Sequence, residues 1–147
     1  MKNAPLAAAT HLSPEQIQRF VKNTPDLLLV LQPGEPFIIV AASDAYLKAT
    51  HTDRGIFGRP VFEAFPDNPA VDARATRTLR ASLQRVADTR ETDVMATQRY
   101  DVQRPAAEGA EFEERFWNTT NSPVLSEDGG TGEDIQHRIA GGRAKTR

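Results

Sequence analysis

The sequence predicts an α+β domain: a five-stranded antiparallel sheet, helices covering one face, and an N-terminal amphipathic helix. Three observations lead there. Strand-like runs are joined by turn residues, as in 27–31, the loop Gln32-Pro33-Gly34-Glu35-Pro36, and 37–40. Apolar residues over 69–88 recur at helical spacing. The helical stretch 43–88 separates the second strand from the third, so it must cross one sheet face to connect them.

Each element has a local reason. Ser13-Pro14-Glu15-Gln16 opens a helix: Ser13 caps, Pro14 suits the first helical position, and Gln16 completes a capping box. Ile17, Phe20 and Val21 share one face at i, i+3, i+4, and Asn23-Thr24-Pro25 ends the helix. Two strands follow, Leu27-Leu28-Leu29-Val30-Leu31 and Phe37-Ile38-Ile39-Val40. Ser43 or Asp44 caps a short helix that begins with Ala45-Tyr46-Leu47. Gly55, Gly58 and Pro60 then break the chain repeatedly, with a helical turn over 61–65.

Asn68 and Pro69 are expected to cap and start the longest helix, 69–88. Val71, Ala75, Leu79, Leu83 and Val86 form its apolar stripe. Residues 92–102 read as the third strand. A fourth runs from Phe112 to the turn Glu127-Asp128-Gly129-Gly130, and 134–139 returns as the fifth. The chain therefore divides into a flexible leader 1–12, a helix 13–24, a folded unit 25–140 and a disordered tail 141–147.

Composition narrows the function. Hydrophobic content of 39 % and charged content of 26 % are those of an ordinary globular chain. A net charge of −2 provides no field to attract nucleic acid or a membrane surface. No apolar run approaches the roughly 20 residues of a membrane span. The chain has no cysteine, which removes disulfides, thiolate metal sites, cysteine nucleophiles and thiol adducts, and fits a cytoplasmic protein. His11, His51 and His137 have no metal-ligand spacing; Asp53 is near enough to orient the His51 ring, but His51 reads first as a polar surface histidine at a helix end. Glu113 and Glu114 are adjacent on a strand, so they point to opposite faces and pair with Arg115 or with cross-strand charges. There is no G-x-S-x-G, phosphate loop or H-E-x-x-H.

The order of elements, together with three stretches, resembles a PAS domain. The stretches are Phe37-Ile38-Ile39-Val40-Ala41-Ala42-Ser43-Asp44-Ala45-Tyr46, then Gly58-Arg59-Pro60-Val61-Phe62-Glu63-Ala64-Phe65-Pro66, then Trp117 through Pro123-Val124 to Gly129. Phe62 to Pro69, Gln98 to Pro105 and Phe112 to Trp117 are similar to a bacterial subgroup of PAS sensors attached to histidine kinases or other output modules. The likeness spans about 25–139. Where relatives end the last strand in an acidic, hydrophobic and threonine run, this chain has Ala140-Gly141-Gly142.

The resemblance implies a sensory or regulatory domain of bacterial two-component signal transduction. It would bind a small ligand or a protein partner, as a homodimer or against a signalling output protein. Catalysis is not expected; it would belong to a separate module such as a histidine kinase. Heme-binding relatives carry a histidine in the long helix, and 69–88 has none, so heme is not expected. Without cysteine neither is a covalent flavin adduct, which leaves a noncovalent small ligand. The family phase places Trp117, Thr119 and Asn121 inward, with Phe116 and Asn118 outward. Tyr46, Leu79, Leu83, Met95 and Thr97 complete the expected ligand-binding face. Ile17, Phe20, Val21 and Phe116 are the expected interface residues. Two rival readings are a ligand-free interaction or dimerisation module and a small acid/base enzyme of cone-like α+β fold. The enzyme would require Asp93 or His137 deep in a cavity.

Overall fold

The computed structural model describes residues 13–71, 74–125 and 131–139. The leader 1–12, the turn at 127–130 and the tail 141–147 lie outside the described residues.

Helix α1, Pro14–Val21, starts on the expected capping box, with Ser13 Oγ accepting from the Gln16 amide and Gln16 Oε1 accepting from the Ser13 amide. Ile17 and Val21 pack on Val30, Val40 and Ala41 on one face of the sheet. Gln18 Nε2 donates to the Val40 carbonyl at 3.0 Å. That contact centres the packed side between positions 17, 18 and 21 and turns Phe20 out, leaving it 75 % exposed. The three apolar residues therefore do not act as one face.

Strands β1, Leu27–Leu31, and β2, Ile39–Ala42, pair antiparallel. The second strand starts later than its apolar run. Phe37 stays in the turn at φ 55, its amide bonded to the Gly34 carbonyl and its ring fully buried beside Phe62. Helix α2, Asp44–Ala49, is capped by Ser43, whose hydroxyl accepts from the Tyr46 and Leu28 amides and donates to the Asp26 carbonyl. One buried hydroxyl thus joins a helix start to a strand start. A 3₁₀ turn, Arg54–Ile56, and helix α3, Val61–Ala64, complete the irregular middle.

Helix α4 runs over Ala75–Thr89, six residues shorter at its start than the 69–88 stripe implies. Asn68 caps a turn instead of the helix: its Oδ1 accepts from the Ala70 amide. The helix start is clasped by Asp67, whose carboxylate accepts from the Thr76 amide at 3.0 Å and from its hydroxyl at 2.6 Å. Val71 sits half-buried ahead of it. The buried stripe is Ala75, Leu79, Ser82, Leu83 and Val86.

The later strands are short. They are β3 Asp93–Val94, β4 Gln98–Arg99, β5 Val102–Gln103, β6 Phe112–Glu113, β7 Phe116–Trp117, β8 Thr120–Leu125 and β9 Thr131–Ile139. A five-stranded antiparallel sheet has the order β2-β1-β9-β8-β3. The third and fourth strands expected as continuous are each broken twice, giving the separate pairs β4–β7 and β5–β6. Main-chain bonds from Met95 to Thr119, Tyr100 to Arg115 and Arg104 to Glu111 keep the two arms adjacent through the breaks. The result is one long bent hairpin that reaches beyond the sheet towards α2 and α3. The main core fills the space between the inner sheet face and α2–α4, and includes Leu29, Leu31, Tyr46, Leu83 and Trp117.

Candidate functional site

Where the bent hairpin meets α2 and α3, the core leaves a cavity of about 40 Å³. Tyr46 comes from α2, Val61 and Phe65 from α3 and its end, and Leu79 from α4. Tyr100, Asp101 and Trp117 line it from the hairpin. The space holds two or three waters at roughly 15 Å³ each, and no larger molecule as it stands.

The aromatic groups are held by hydrogen bonds to main chain. Trp117 Nε1 donates to the Tyr100 carbonyl at 2.8 Å, and the Tyr100 hydroxyl donates to the Phe65 carbonyl. Tyr46 meets Phe65 edge to face with ring centres 5.9 Å apart. Burial pushes both phenols, Tyr46 and Tyr100, above the ordinary tyrosine range, so both stay neutral hydroxyls.

Asp101 is the buried charge of the site, with its side chain 2 % exposed. Oδ1 accepts from Arg99 Nε at 2.9 Å and the Arg115 amide at 3.2 Å. Oδ2 accepts from Arg99 Nη2 and Asn68 Nδ2, both at 2.9 Å. Burial opposes its ionisation, but the bonds from Arg99, Asn68 and the Arg115 amide outweigh it, and the carboxyl is held below the ordinary range. Arg99 and Asp101 stand two apart in the chain, an opposite-charge pairing that was legible in the sequence and would have pointed here.

A wider groove of about 260 Å³ opens beside the cavity. His51, Thr52, Pro66 and Gln103 to Ala106 line it; Thr50, Phe65 and Asp101 belong to both spaces. Behind it Glu113 binds Arg115 at 2.6 Å, Arg104 at 2.9 Å and His51 at 3.3 Å, and the Arg115 bond foremost holds its carboxyl below the ordinary range. Arg115 Nη1 also donates to the Ala49 carbonyl, an open acceptor at the end of α2. His51 therefore takes Glu113 as its partner, and not Asp53, whose carboxylate is engaged by the Gly55 amide. Glu113 and Glu114 do divide their charges, Glu114 going to Arg99.

A second polar group ties α4 to the sheet. Asn121 Nδ2 donates to Ser82 Oγ at 2.8 Å, Ser82 donates to Asp93, and Arg85 binds Asp93 at 3.0 Å. Arg85 first and Ser82 second keep Asp93 ionised below its ordinary range.

Of the expected ligand-binding residues, Tyr46, Leu79, Trp117 and Thr119 line the cavity. Leu83, Met95 and Asn121 are buried in the core but do not line it. Thr97 lies on the surface, its hydroxyl bonded to the exposed Asn118. The break in the strand after Val94 resets the alternation that was to bring Thr97 inward. Phe116 is half-buried, paired with Arg99 across the β4–β7 ladder. Thr50, Tyr100 and Asp101 were not singled out from sequence, since polar residues inside irregular segments carry no periodic signal, and Phe65 follows the short helix of the irregular middle, where no repeat marks its side. Among the described residues no group of His, Asp and Glu is arranged to hold a metal ion, and no helix is long and apolar enough to cross a membrane.

The sequence matches no protein-family profile and no curated protein. Among solved structures, the crystal structure of a Rhodobacter sphaeroides LOV protein is similar over 85 % of this chain, with a TM-score of 0.59 and 13 % sequence identity. This chain spans 64 % of that protein's length. LOV proteins are PAS proteins, and the sheet with its helical cover, the cavity between them and this likeness together give the chain a fold of the PAS type.

Proposed function

We propose that the chain is a sensory domain of bacterial signal transduction that takes up a small uncharged molecule between its helical cover and its sheet. Occupation would shift packing at Tyr46, Phe65 and Trp117 and bias contacts with a second copy or an output protein such as a histidine kinase. The observation that carries this reading is the cavity lined by Tyr46, Tyr100 and Trp117, with the wider groove beside it. The domain is taken as cytoplasmic and not itself an enzyme. Asp101, Glu113 and Asp93 are all engaged by arginine, and none is raised towards neutral pH as a general acid requires. Neither a covalent flavin adduct nor a heme is part of the proposal: the chain has no cysteine, and α4 carries no histidine for a heme iron. Native mass spectrometry of purified protein against its denatured mass tests the reading. A co-purifying small molecule, with quenched or shifted Trp117 emission, is the expected result; a bare polypeptide together with unresponsive emission across a small-molecule library refutes it.

A second reading, an interaction or dimerisation module with a filled core, is favoured by the exposure of Phe20 at 75 % and Val94 at 73 %. Sedimentation of wild type and Phe20→Ser decides it: loss of a dimer in the variant, with the fold intact, supports that module.

A further inference from the structure

We infer that the ligand enters through the groove beside the hairpin, and that the Phe65 ring is the gate between the groove and the inner cavity. The inference rests on reading the cavity as a ligand site, and deepens it by naming the route and the class of molecule admitted. Three residues stand between the two spaces: Thr50, Phe65 and Asp101. Two of them are pinned. The Thr50 hydroxyl is bonded to the Tyr46 and Leu47 carbonyls and to the Thr52 hydroxyl. Asp101 accepts four hydrogen bonds. The Phe65 ring carries no hydrogen bond and is only half-buried, so it is the one partition member that can swing without stranding a polar group.

Its backbone, by contrast, is fixed. The Phe65 amide bonds to the Val61 carbonyl at 2.9 Å, and its carbonyl receives the Tyr100 hydroxyl. The ring therefore turns on an anchored main chain, and the edge-to-face contact with Tyr46 is what it gives up. With the ring displaced, the 40 Å³ cavity and the 260 Å³ groove become one space of about 300 Å³, the lower end of ordinary small-molecule sites. Charge sets the class of molecule. An anion would face the Asp101 carboxylate, and a cation would find its oxygens already filled. Arg104 and His51 line the groove as well, but both face Glu113, at 2.9 and 3.3 Å, so the charge met at the partition is that of Asp101 and the gate admits an uncharged molecule, aromatic or aliphatic, of up to about that volume.

The only tryptophan of the chain reports on the gate. Trp117 is 5 % exposed and lines the cavity but not the groove. Acrylamide quenching of its fluorescence, on the full chain, measures passage of a small neutral probe. Phe65→Ala is expected to raise the bimolecular quenching constant about threefold or more, whereas Leu79→Ala, which widens the cavity behind the partition, should change it by less than about 1.5-fold. Phe65→Leu keeps an apolar side chain without the ring and serves if the alanine variant fails to fold. Wild-type quenching in a folded Phe65 variant overturns the gate, as does an equal rise in Leu79→Ala. Because acrylamide is itself the probe, the gate can fail while a ligand is found by mass spectrometry, and can hold when none is.

Discussion

Replacing Asp101 with asparagine keeps the shape of the side chain and removes its charge. The carboxylate accepts four hydrogen bonds, two at each oxygen. Whichever way the amide is turned, its nitrogen faces two donors and those two bonds are lost. Bonds to a charged group contribute about 1.5–3 kcal/mol each. Arg99 is 31 % exposed, so water recovers part of the loss on its side. The expected destabilisation is then about 3 kcal/mol, or about 6–12 °C in Tm for a domain of this size. Its pH dependence is a second handle. The folded carboxyl titrates below the ordinary value of 3.8, so its stabilisation is present above that pH and lost as pH falls through the lowered value. Thermal melts of wild type and Asp101→Asn should therefore differ fully at neutral pH and converge in acid below about pH 4. A variant melting within about 2 °C of wild type at pH 7, or a gap that stays constant into acid, would refute the reasoning.

Two further substitutions test the joints between helices and sheet. Ser43→Ala removes a cap and the bond linking Asp26 and Leu28 to α2; the urea midpoint should drop by the equivalent of about 2 kcal/mol with m unchanged. Ser82→Ala takes the middle from the Asn121–Ser82–Asp93 chain and should cost about 2 kcal/mol, while Arg85→Ala, at the exposed end, should cost under about 1 kcal/mol in the same titration.

What could be read in advance was what is local. The Ser13 capping box, the apolar run of β1 and the Ser43 cap are settled by residues within four positions of one another. Misreadings arose where a residue's partner was not the one its spacing suggested. Asn68-Pro69 has the form of a helix start, yet the helix begins after Arg74, and its first turn is met by Asp67, which accepts from the Thr76 amide. His51, read as a surface histidine at a helix end, is only part-exposed there and meets Glu113 on a strand far along the chain, while Asp53 is taken by the Gly55 amide. Trp117, Thr119 and Asn121 alternate inward as a strand should, while across the hairpin the break after Val94 carries Thr97 out. The cavity itself was only half legible. Its apolar wall follows helix and strand periodicity, but Tyr100 and Asp101 enter from an interruption, where no repeat tells inside from outside.

The position of β9 has a consequence for biosynthesis. It lies between β1 and β8, so Leu27 pairs with Ile139 and the first strand of the sheet waits for the last. While a ribosome is still holding residues beyond Leu125, β1 and β8 each expose an open hydrogen-bonding edge. Closure of the sheet must then follow emergence of the final strand, and its sequence-distant pairing makes that step slow compared with formation of α4. A nascent or truncated chain ending before Thr131 is accordingly the form most in need of a chaperone, and the one most prone to pair with its own copies.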